Sequence, residues 1–305
     1  MDAGIIALYK PRGMTSHDCV NRIRRLYKTK KVGHTGTLDP EVDGVLPICI
    51  GKATKVAEYM SDFDKTYTGD VTLGFTTTTE DAYGEVVERL PVLQSVSSDQ
   101  IEAVLAQFRG AIMQTPPYYS AVKVNGKRLY EYARKGIEVD RPTRQVNIHQ
   151  LILTNVEEAK EDTQRFSFDV RCSKGTYVRT LAVDIGAALG FPSHMSSLTR
   201  TASGSFELAN TITFDTLEEL SLEERYEKLY PFDHALTNFP KRTADRALEQ
   251  RIKNGAVLAN EDQIFGDTRF LFYNEDGECL ALYQPHPTKE GLMKPEKLFS
   301  QAAGL

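Results

Sequence analysis

The chain has 305 residues, enough for two domains or for one large domain with an appendage at roughly 150 residues per domain. Its 41% hydrophobic and 26% charged residues exclude a disordered, collagen-like or disulfide-dense chain, and no run approaches the ~20 apolar residues needed to span a bilayer. The net charge of −5 argues against a bulk nucleic-acid binder.

Residues 4–9 read as a short buried strand ended by a Pro11-Arg12-Gly13 turn. The start carries no basic lead and its apolar run is too short for a secretion signal, so a cytoplasmic setting is expected. Thr15 and Asp18 have capping-box spacing, and Val20, Ile23 and Leu26/Tyr27 follow at helical spacing. A glycine-rich loop over residues 33–44 leads into an apolar strand at 46–50 and a helix over 54–60. A strand over 65–75 carries Tyr67. Ser97 and Ser98 cap a helix that runs to Phe108 and stops at Gly110. Asn125-Gly126 marks a hairpin, and residues 146–156 and 165–172 read as long paired strands. An amphipathic helix over 176–189 is closed by Gly190. Pro231 follows an acidic stretch and marks a boundary, beyond which a helix over 245–253 and strands near 270–273 and 279–283 suggest a small module.

Irregular alternation with hairpins favours α+β with a mixed or antiparallel sheet over a doubly wound parallel one. The sequence has no G-x-G-x-x-G, no G-x-x-x-x-G-K-[ST] and no H-E-x-x-H, which leaves nucleotide-cofactor, phosphate-loop and zinc-hydrolase readings without support. Its four cysteines are far apart with no C-x-x-C, so neither a zinc site nor a disulfide framework is expected.

Charge is segregated along the chain. Residues 1–55 hold ten Lys/Arg against five Asp/Glu, residues 56–108 two against ten, residues 109–145 eight against three, and residues 171–200 four against one. Convergence of the three basic segments would make one positive face suited to a phosphate-rich ligand. The segment after residue 235 has nine against ten, with Lys241, Arg242, Arg246, Arg251 and Lys253 forming a local basic patch.

The densest chemistry lies in Gly33-His34-Thr35-Gly36-Thr37-Leu38-Asp39-Pro40-Glu41-Val42-Asp43-Gly44. Three glycines and a proline fix an irregular loop, and Asp39, preceding Pro40, is pushed toward an extended backbone. By composition alone this is a structural Asx turn. The segment, with Gly44-Val45-Leu46-Pro47 through Lys55, nevertheless closely resembles the signature of the bacterial tRNA pseudouridine-55 synthases. Further matches follow in the family's order: Lys10-Pro11-Arg12-Gly13-Met14-Thr15-Ser16, Asp64-Lys65-Thr66-Tyr67, Thr115-Pro116-Pro117 with Tyr119-Ser120-Ala121-Val122-Lys123, Ser173-Lys174-Gly175-Thr176-Tyr177-Val178-Arg179-Thr180, and Leu198-Thr199-Arg200-Thr201-Ala202-Ser203-Gly204.

The resemblance implies an α+β pseudouridine-synthase-type fold, a mixed, largely antiparallel sheet flanked by helices. It implies a catalytic domain over residues 1–235 with an RNA-clamping insertion at about 114–142, and a small PUA-like RNA-binding domain over 236–305. The implied activity is isomerisation of uridine-55 in the T loop of tRNA, with Asp39 as essential nucleophile. Asp39 would have to stay charged in a buried site, which costs several kcal/mol unless a cation is near. Arg179 is the matching partner, its fork suited to a carboxylate. Tyr67 matches the tyrosine that stacks on the target base, Tyr177 and Leu198 line the uracil pocket, and His34 contacts RNA beside the flipped base. Lys10, Lys123, Arg128 and Arg134 are the candidate RNA contacts. No metal, organic cofactor or membrane is implied, and the partner is the T arm and elbow of tRNA, gripped by a monomer. The alternatives are a non-catalytic tRNA-elbow folding factor and the small-RNA-guided relative of eukaryotes and archaea.

Overall fold

The computed structural model describes residues 3–260 and 268–300. Strand β1 (Gly4–Lys10) is buried along almost its whole length. Helix α1 (Ser16–Leu26) begins on a complete capping box: the Thr15 hydroxyl accepts from the Asp18 N–H, and the Asp18 carboxylate accepts from the Thr15 N–H. Cys19, Val20 and Ile23 form its buried stripe. Strands β2 (Val32–His34) and β3 (Asp43–Ile50) bracket the glycine-rich loop.

The single helix expected over 54–60 is divided. A 3₁₀ segment (Gly51–Val56), tightened by the Thr54 hydroxyl donating to the Gly51 carbonyl at 2.8 Å, precedes the short α2 (Ala57–Ser61). Strand β4 (Lys65–Leu73) also ends earlier than expected. Gly74 takes φ +118° where a Cβ would meet the Asp162 carbonyl oxygen at 2.7 Å, and the chain turns into β5 (Phe75–Thr77), which pairs with β6 (Val86–Arg89).

Helix α3 (Ser98–Leu105), capped by Ser97, runs on as a 3₁₀ turn to Phe108 and precedes β7 (Gly110–Gln114). Residues 115–143 then leave the sheet. They hold the two-residue strands β8 (Lys123–Val124) and β9 (Lys127–Arg128), joined through Asn125 and Gly126 at positive φ, and the short α4 (Leu129–Ala133). Strands β10 (Arg144–Val156) and β11 (Gln164–Cys172) pair antiparallel, α5 (Val178–Ala188) follows, and β12 (Ser193–Ser203) with the short β13 (Phe206–Glu207) completes the first sheet.

Among the described residues this sheet has nine strands in the order β1-β3-β12-β4-β11-β10-β7, with β2 and β13 alongside. Every pairing is antiparallel except β12 with β3, which gives the mixed, largely antiparallel sheet that the resemblance implies. The parallel contact is short and joins Thr199 to Asp43 and Arg200 to Gly44. Gly44 is required there: it sits at φ +107°, and a Cβ would lie 2.2 Å from the Arg200 carbonyl oxygen.

After α6 (Phe214–Glu219) and α7 (Leu222–Glu227), Tyr230 exchanges two backbone hydrogen bonds with Ile5. A second sheet follows, built from β14 (Lys241–Thr243), β15 (Leu258–Ala259), β16 (Phe270–Tyr273), β17 (Cys279–Pro285) and β18 (Leu292–Leu298), with α8 (Arg246–Lys253) capped by Asp245. Its Leu271, Leu282 and Phe299 share one core with Ile5, Ala7, Val45 and Cys49 of the first sheet. The second sheet is therefore docked on the first, and a cut at residue 235 would pass through packed side chains. The basic patch expected there is partly engaged: Lys253 pairs with Glu249 at 2.6 Å, and Lys241 and Arg242 lie over the rings of Tyr273 and Phe272. Among the described residues no helix is long and apolar enough to cross a membrane.

Candidate active site

The loop between β2 and β3 is fastened at nearly every residue. The Ser16 hydroxyl donates to the Leu38 carbonyl at 3.1 Å and accepts from the Leu38 N–H at 2.9 Å. The Thr35 N–H bonds Pro47, the Gly13 N–H bonds Pro40, and the Lys10 ammonium donates to the carbonyls of Pro40 and Pro11 at 3.0 and 2.8 Å. Leu38 and Val42 are buried on either side of Asp39, and the Val42 N–H closes a turn onto the Asp39 carbonyl. A side chain held this way can move little relative to the sheet.

Asp39 is not buried as expected: its side chain is 43% exposed, at the open mouth of a cavity of about 430 Å³. Its Oδ2 lies 2.9 Å from Nε of Arg179, whose side chain is only 6% exposed. The two-pronged pairing suggested by the arginine fork is not made either. Nη1 donates to the Thr79 carbonyl and Nη2 to the Tyr119 carbonyl, each at 3.0 Å. Arg179 thus joins three segments: the Asp39 loop, the turn after β5, and the insertion. It sits in the first turn of α5, where the helix dipole disfavours a cation, and these three oxygens offset that cost.

Two neighbours hold Arg179 in register. Gln114, buried at the end of β7, clamps the helix N-cap by donating to the Tyr177 carbonyl at 3.1 Å and accepting from the Tyr177 N–H at 3.0 Å. Glu80, at φ +65°, accepts from the Thr180 hydroxyl at 2.9 Å. Burial raises the Glu80 carboxyl above its ordinary range, with the Thr180 hydrogen bond and the Arg179 charge pulling the other way.

The cavity floor is set by strand register. Tyr67 on β4 lies directly opposite Arg200 on β12 and Val170 on β11, while Leu198 is opposite Gly69 and Lys65 opposite Cys172. Arg200 is 1% exposed and has no carboxylate partner among the described residues. Its Nε donates to the Val45 carbonyl at 2.7 Å and its Nη2 to the Gly36 carbonyl at 3.1 Å, and its charge acts on the Tyr67 hydroxyl. Burial raises the Tyr67 hydroxyl above its usual value, partly countered by Arg200. Burial together with the Arg200 charge pushes the Lys65 ammonium down to about 8. The cavity is therefore bipolar, with a carboxylate at the mouth and two buried cations at the floor.

Asp39, Arg179, Tyr67, Tyr177 and Leu198 all line this cavity, together with Tyr119 and Tyr130 of the insertion. Burial raises the Tyr177 hydroxyl. His34 is not brought to it: it ends β2, its Nδ1 is buried without a partner among the described residues, and burial lowers its pKa. Lys10 is corrected as an RNA contact, since it is fully buried and its ammonium is spent on the Asp39 loop. Lys123, Arg128 and Arg134 are exposed on the insertion, and Arg128 and Arg134 flank the Tyr130 ring at 5.7 and 5.2 Å. All three basic segments contribute residues to the cavity wall, but its cations come from residues 171–200 and, with Lys65, from the acidic segment 56–108, so the lining does not gather the basic residues of all three. Ser16, Lys65, Gln114 and Arg200 went unassigned in the sequence. Lys65 and Arg200 carried a readable signal, because each lies two residues along a strand from Tyr67 or Leu198 and so on the same face. Ser16 and Gln114 carried none, since their partners are backbone groups distant in sequence. Among the described residues no group of three or more His, Cys, Asp or Glu side chains is placed to hold a metal ion.

The family described as TruB family pseudouridylate synthase (N terminal domain) matches residues 24–178, and tRNA pseudouridylate synthase B C-terminal domain matches residues 179–237. A protein of Shouchella clausii named tRNA pseudouridine synthase B is 64% identical over 296 residues, covering 97% of this chain and 98% of that one. A protein of the same name from Bacillus subtilis is 53% identical over 302 residues, covering 98% of each. Among solved structures, the crystal structure of a Cbf5-Nop10-Gar1 complex superposes with a TM-score of 0.73 at 27% identity, covering 98% of this chain and 86% of that one. The structure of an H/ACA RNP bound to a substrate RNA containing 2'-deoxyuridine superposes with a TM-score of 0.69 at 26% identity, covering 97% and 84%.

Proposed function

The chain belongs to the TruB family of pseudouridylate synthases, and from that premise we propose that it isomerises uridine-55 in the T loop of tRNA, with Asp39 as the nucleophile. The observation that carries this reading is the single carboxylate, held on a fastened loop and paired through one oxygen with a buried arginine at the mouth of a cation-floored cavity. Oδ2 is engaged by Arg179, and in this reading Oδ1 makes the attack.

The reaction breaks the N1–C1′ bond of the nucleotide, turns the uracil and rejoins it through C5. N1 gains one proton and C5 loses one, so no oxidant, reductant or second substrate is needed. A base inside a stacked T loop cannot reach this cavity, which makes flipping of the target nucleotide a physical requirement. Tyr67 and Leu198 offer flat and apolar faces to the flipped base. The exposed Lys123, Arg128 and Arg134 of the insertion supply phosphate neutralisation, and Tyr130 between the two arginines supplies a stacking face. Residues 236–305, which carry the second sheet, are in this reading a PUA-like module that extends the grip on the tRNA elbow, and the protein works as a monomer.

A purely binding role is the weaker reading. A carboxylate at the cavity mouth repels an anionic ligand, and a binding module gains nothing from fastening it so thoroughly. The small-RNA-guided alternative is disfavoured by the 53–64% identity to proteins named for tRNA, against 25–27% to the guided complexes. Incubating the protein with an unmodified tRNA transcript and mapping pseudouridine at single-nucleotide resolution tests the reading. Pseudouridine at position 55 is expected; modification elsewhere only, or none, would overturn it.

A further inference from the structure

Four cations line the cavity, and the two guanidiniums among them are held in place by protein oxygens. Arg179 is divided among Asp39, Thr79 and Tyr119. Arg200 donates to the carbonyls of Val45 and Gly36. Lys65 differs. Its ammonium has three N–H donors, of which two go to the carbonyls of Ser61 at 2.8 Å and Phe63 at 2.6 Å. The third has no protein acceptor among the described residues, and the side chain lines the cavity. Lys174, also in the wall, is already paired with Asp62 at 2.6 Å.

We propose that Lys65 is the group that neutralises the uracil ring while it is detached from the sugar. The inference rests on the reaction assigned above. Heterolysis of the N1–C1′ bond leaves the electron pair on N1, so the ring carries one negative charge while an Asp39 oxygen bonds C1′. C5 then attacks C1′, the Asp39 oxygen departs with its pair, C5 gives up its proton and N1 takes one up. Lys65 stays protonated throughout and transfers nothing. A fixed cation at a site of developing negative charge, in a place shielded from water, acts most strongly when that charge is greatest. The arrangement also suits rotation, because a point charge below the ring does not fix its orientation as a bidentate arginine would.

The groups facing Lys65 leave its charge available. From β12 it meets Arg200, from β11 the Cys172 thiol, which burial pushes up to about 11 and keeps neutral. On its own strand lies Tyr67, and just before it lie Asp62 and Asp64, engaged by Lys174 and by Arg171 with His149. The loop side presents the Gly36 backbone, with Asp39 three residues on. Because burial lowers the Lys65 ammonium to about 8, the cation is present below that pH and is lost above it.

The test compares wild type, Lys65→Met and Lys65→Arg as full chains on a tRNA transcript, under single-turnover conditions with saturating enzyme, across a pH series. The wild-type rate should fall above about pH 8, whereas Lys65→Arg, which cannot lose its proton there, should hold its rate. Lys65→Met should lose on the order of 100-fold in rate while tRNA affinity changes little. Superimposable pH profiles for wild type and Lys65→Arg, an inactive Lys65→Arg, or a fully active Lys65→Met would each overturn the assignment. A role limited to pinning residues 61–63 would give no alkaline fall in the wild type, because the neutral amine keeps two N–H donors for the two carbonyls. The pH comparison also needs no folded methionine variant. Failure of the wild type to make pseudouridine in tRNA would overturn the reaction itself, an outcome distinct from failure of Lys65.

Discussion

The two sides of the cavity are built to opposite specifications. On one side the Asp39 loop is tied to α1, β1, β3 and β12 through Ser16, Lys10, Pro47 and Arg200, and these ties are buried or backbone-directed. On the other side residues 115–143 are bonded mainly to themselves. The Thr115 and Thr143 hydroxyls bond each other, Arg141 bonds Pro116, and the Leu129 N–H bonds Val122. Leu129 and Ser120 are the residues of the segment other than prolines that are well buried, and the Arg179–Tyr119 bond is its principal polar tie to the body. In the proposed reaction a carboxylate that attacks one carbon needs fixed geometry, whereas a surface proposed to grip a flexible loop of RNA gains from adjusting to it. Disturbing the first side should therefore cost rate or folding, and disturbing the second should cost affinity.

The largest effect is expected from Gly44→Ala. The new Cβ would stand 2.2 Å from a backbone oxygen that β12 cannot withdraw, at a φ that only glycine adopts comfortably. The loss should exceed the ~1–3 kcal/mol of the backbone conformation alone, visible as a collapsed melting temperature or failure to fold. A normal melting curve would mean that β3 and β12 are not locked together as described.

Next is Arg179→Lys. One ammonium cannot serve Asp39, Thr79 and Tyr119 in the plane the guanidinium occupies, so the single-turnover rate should fall by about 100-fold with a smaller change in melting temperature. Full activity would show that the arginine does not position the carboxylate.

Ser16→Ala sharpens the comparison without touching the cavity. It strips both partners from the Leu38 backbone and should cost about 1–3 kcal/mol of stability. The rate should fall while tRNA affinity holds. Loss of affinity with an unchanged rate would reverse the roles assigned to the two sides.

The smallest effect belongs to the insertion. Arg128→Ala with Arg134→Ala should weaken tRNA binding, reduce the slope of log K against log salt by about one to two, and leave the rate at saturating enzyme nearly intact. An unchanged salt dependence would remove these arginines from the interface.

Local signals in the sequence were strong wherever a backbone rule applied. The Thr15/Asp18 and Ser97 caps, the Asn125-Gly126 hairpin and the Gly190 stop all form as their spacing predicts. Elements that depend on distant packing were less legible. Gly74 ends β4 because the Asp162 carbonyl occupies the space beside it, and nothing near residue 74 in sequence announces that. The candidate site divides in the same way. Five of its residues lie in segments with a family-like order, and the structure gathers them in one cavity. The exposure of Asp39, the burial of Lys10 and the buried Arg200 depend on which backbone carbonyls end up nearby, information spread over residues far apart in the chain.

Whether Asp39 does chemistry or serves binding is decided by Asp39→Asn. Asparagine keeps the shape of the side chain and removes the charge, so the fastened loop should be undisturbed. With labelled tRNA, the variant should bind as tightly as wild type or slightly tighter, since a negative charge facing an anionic ligand is gone. Single-turnover mapping on the same complex should then find no pseudouridine at position 55. A variant that binds normally and turns over within about tenfold of wild type, a residual rate too high for loss of the nucleophile, would show that Asp39 is not that nucleophile.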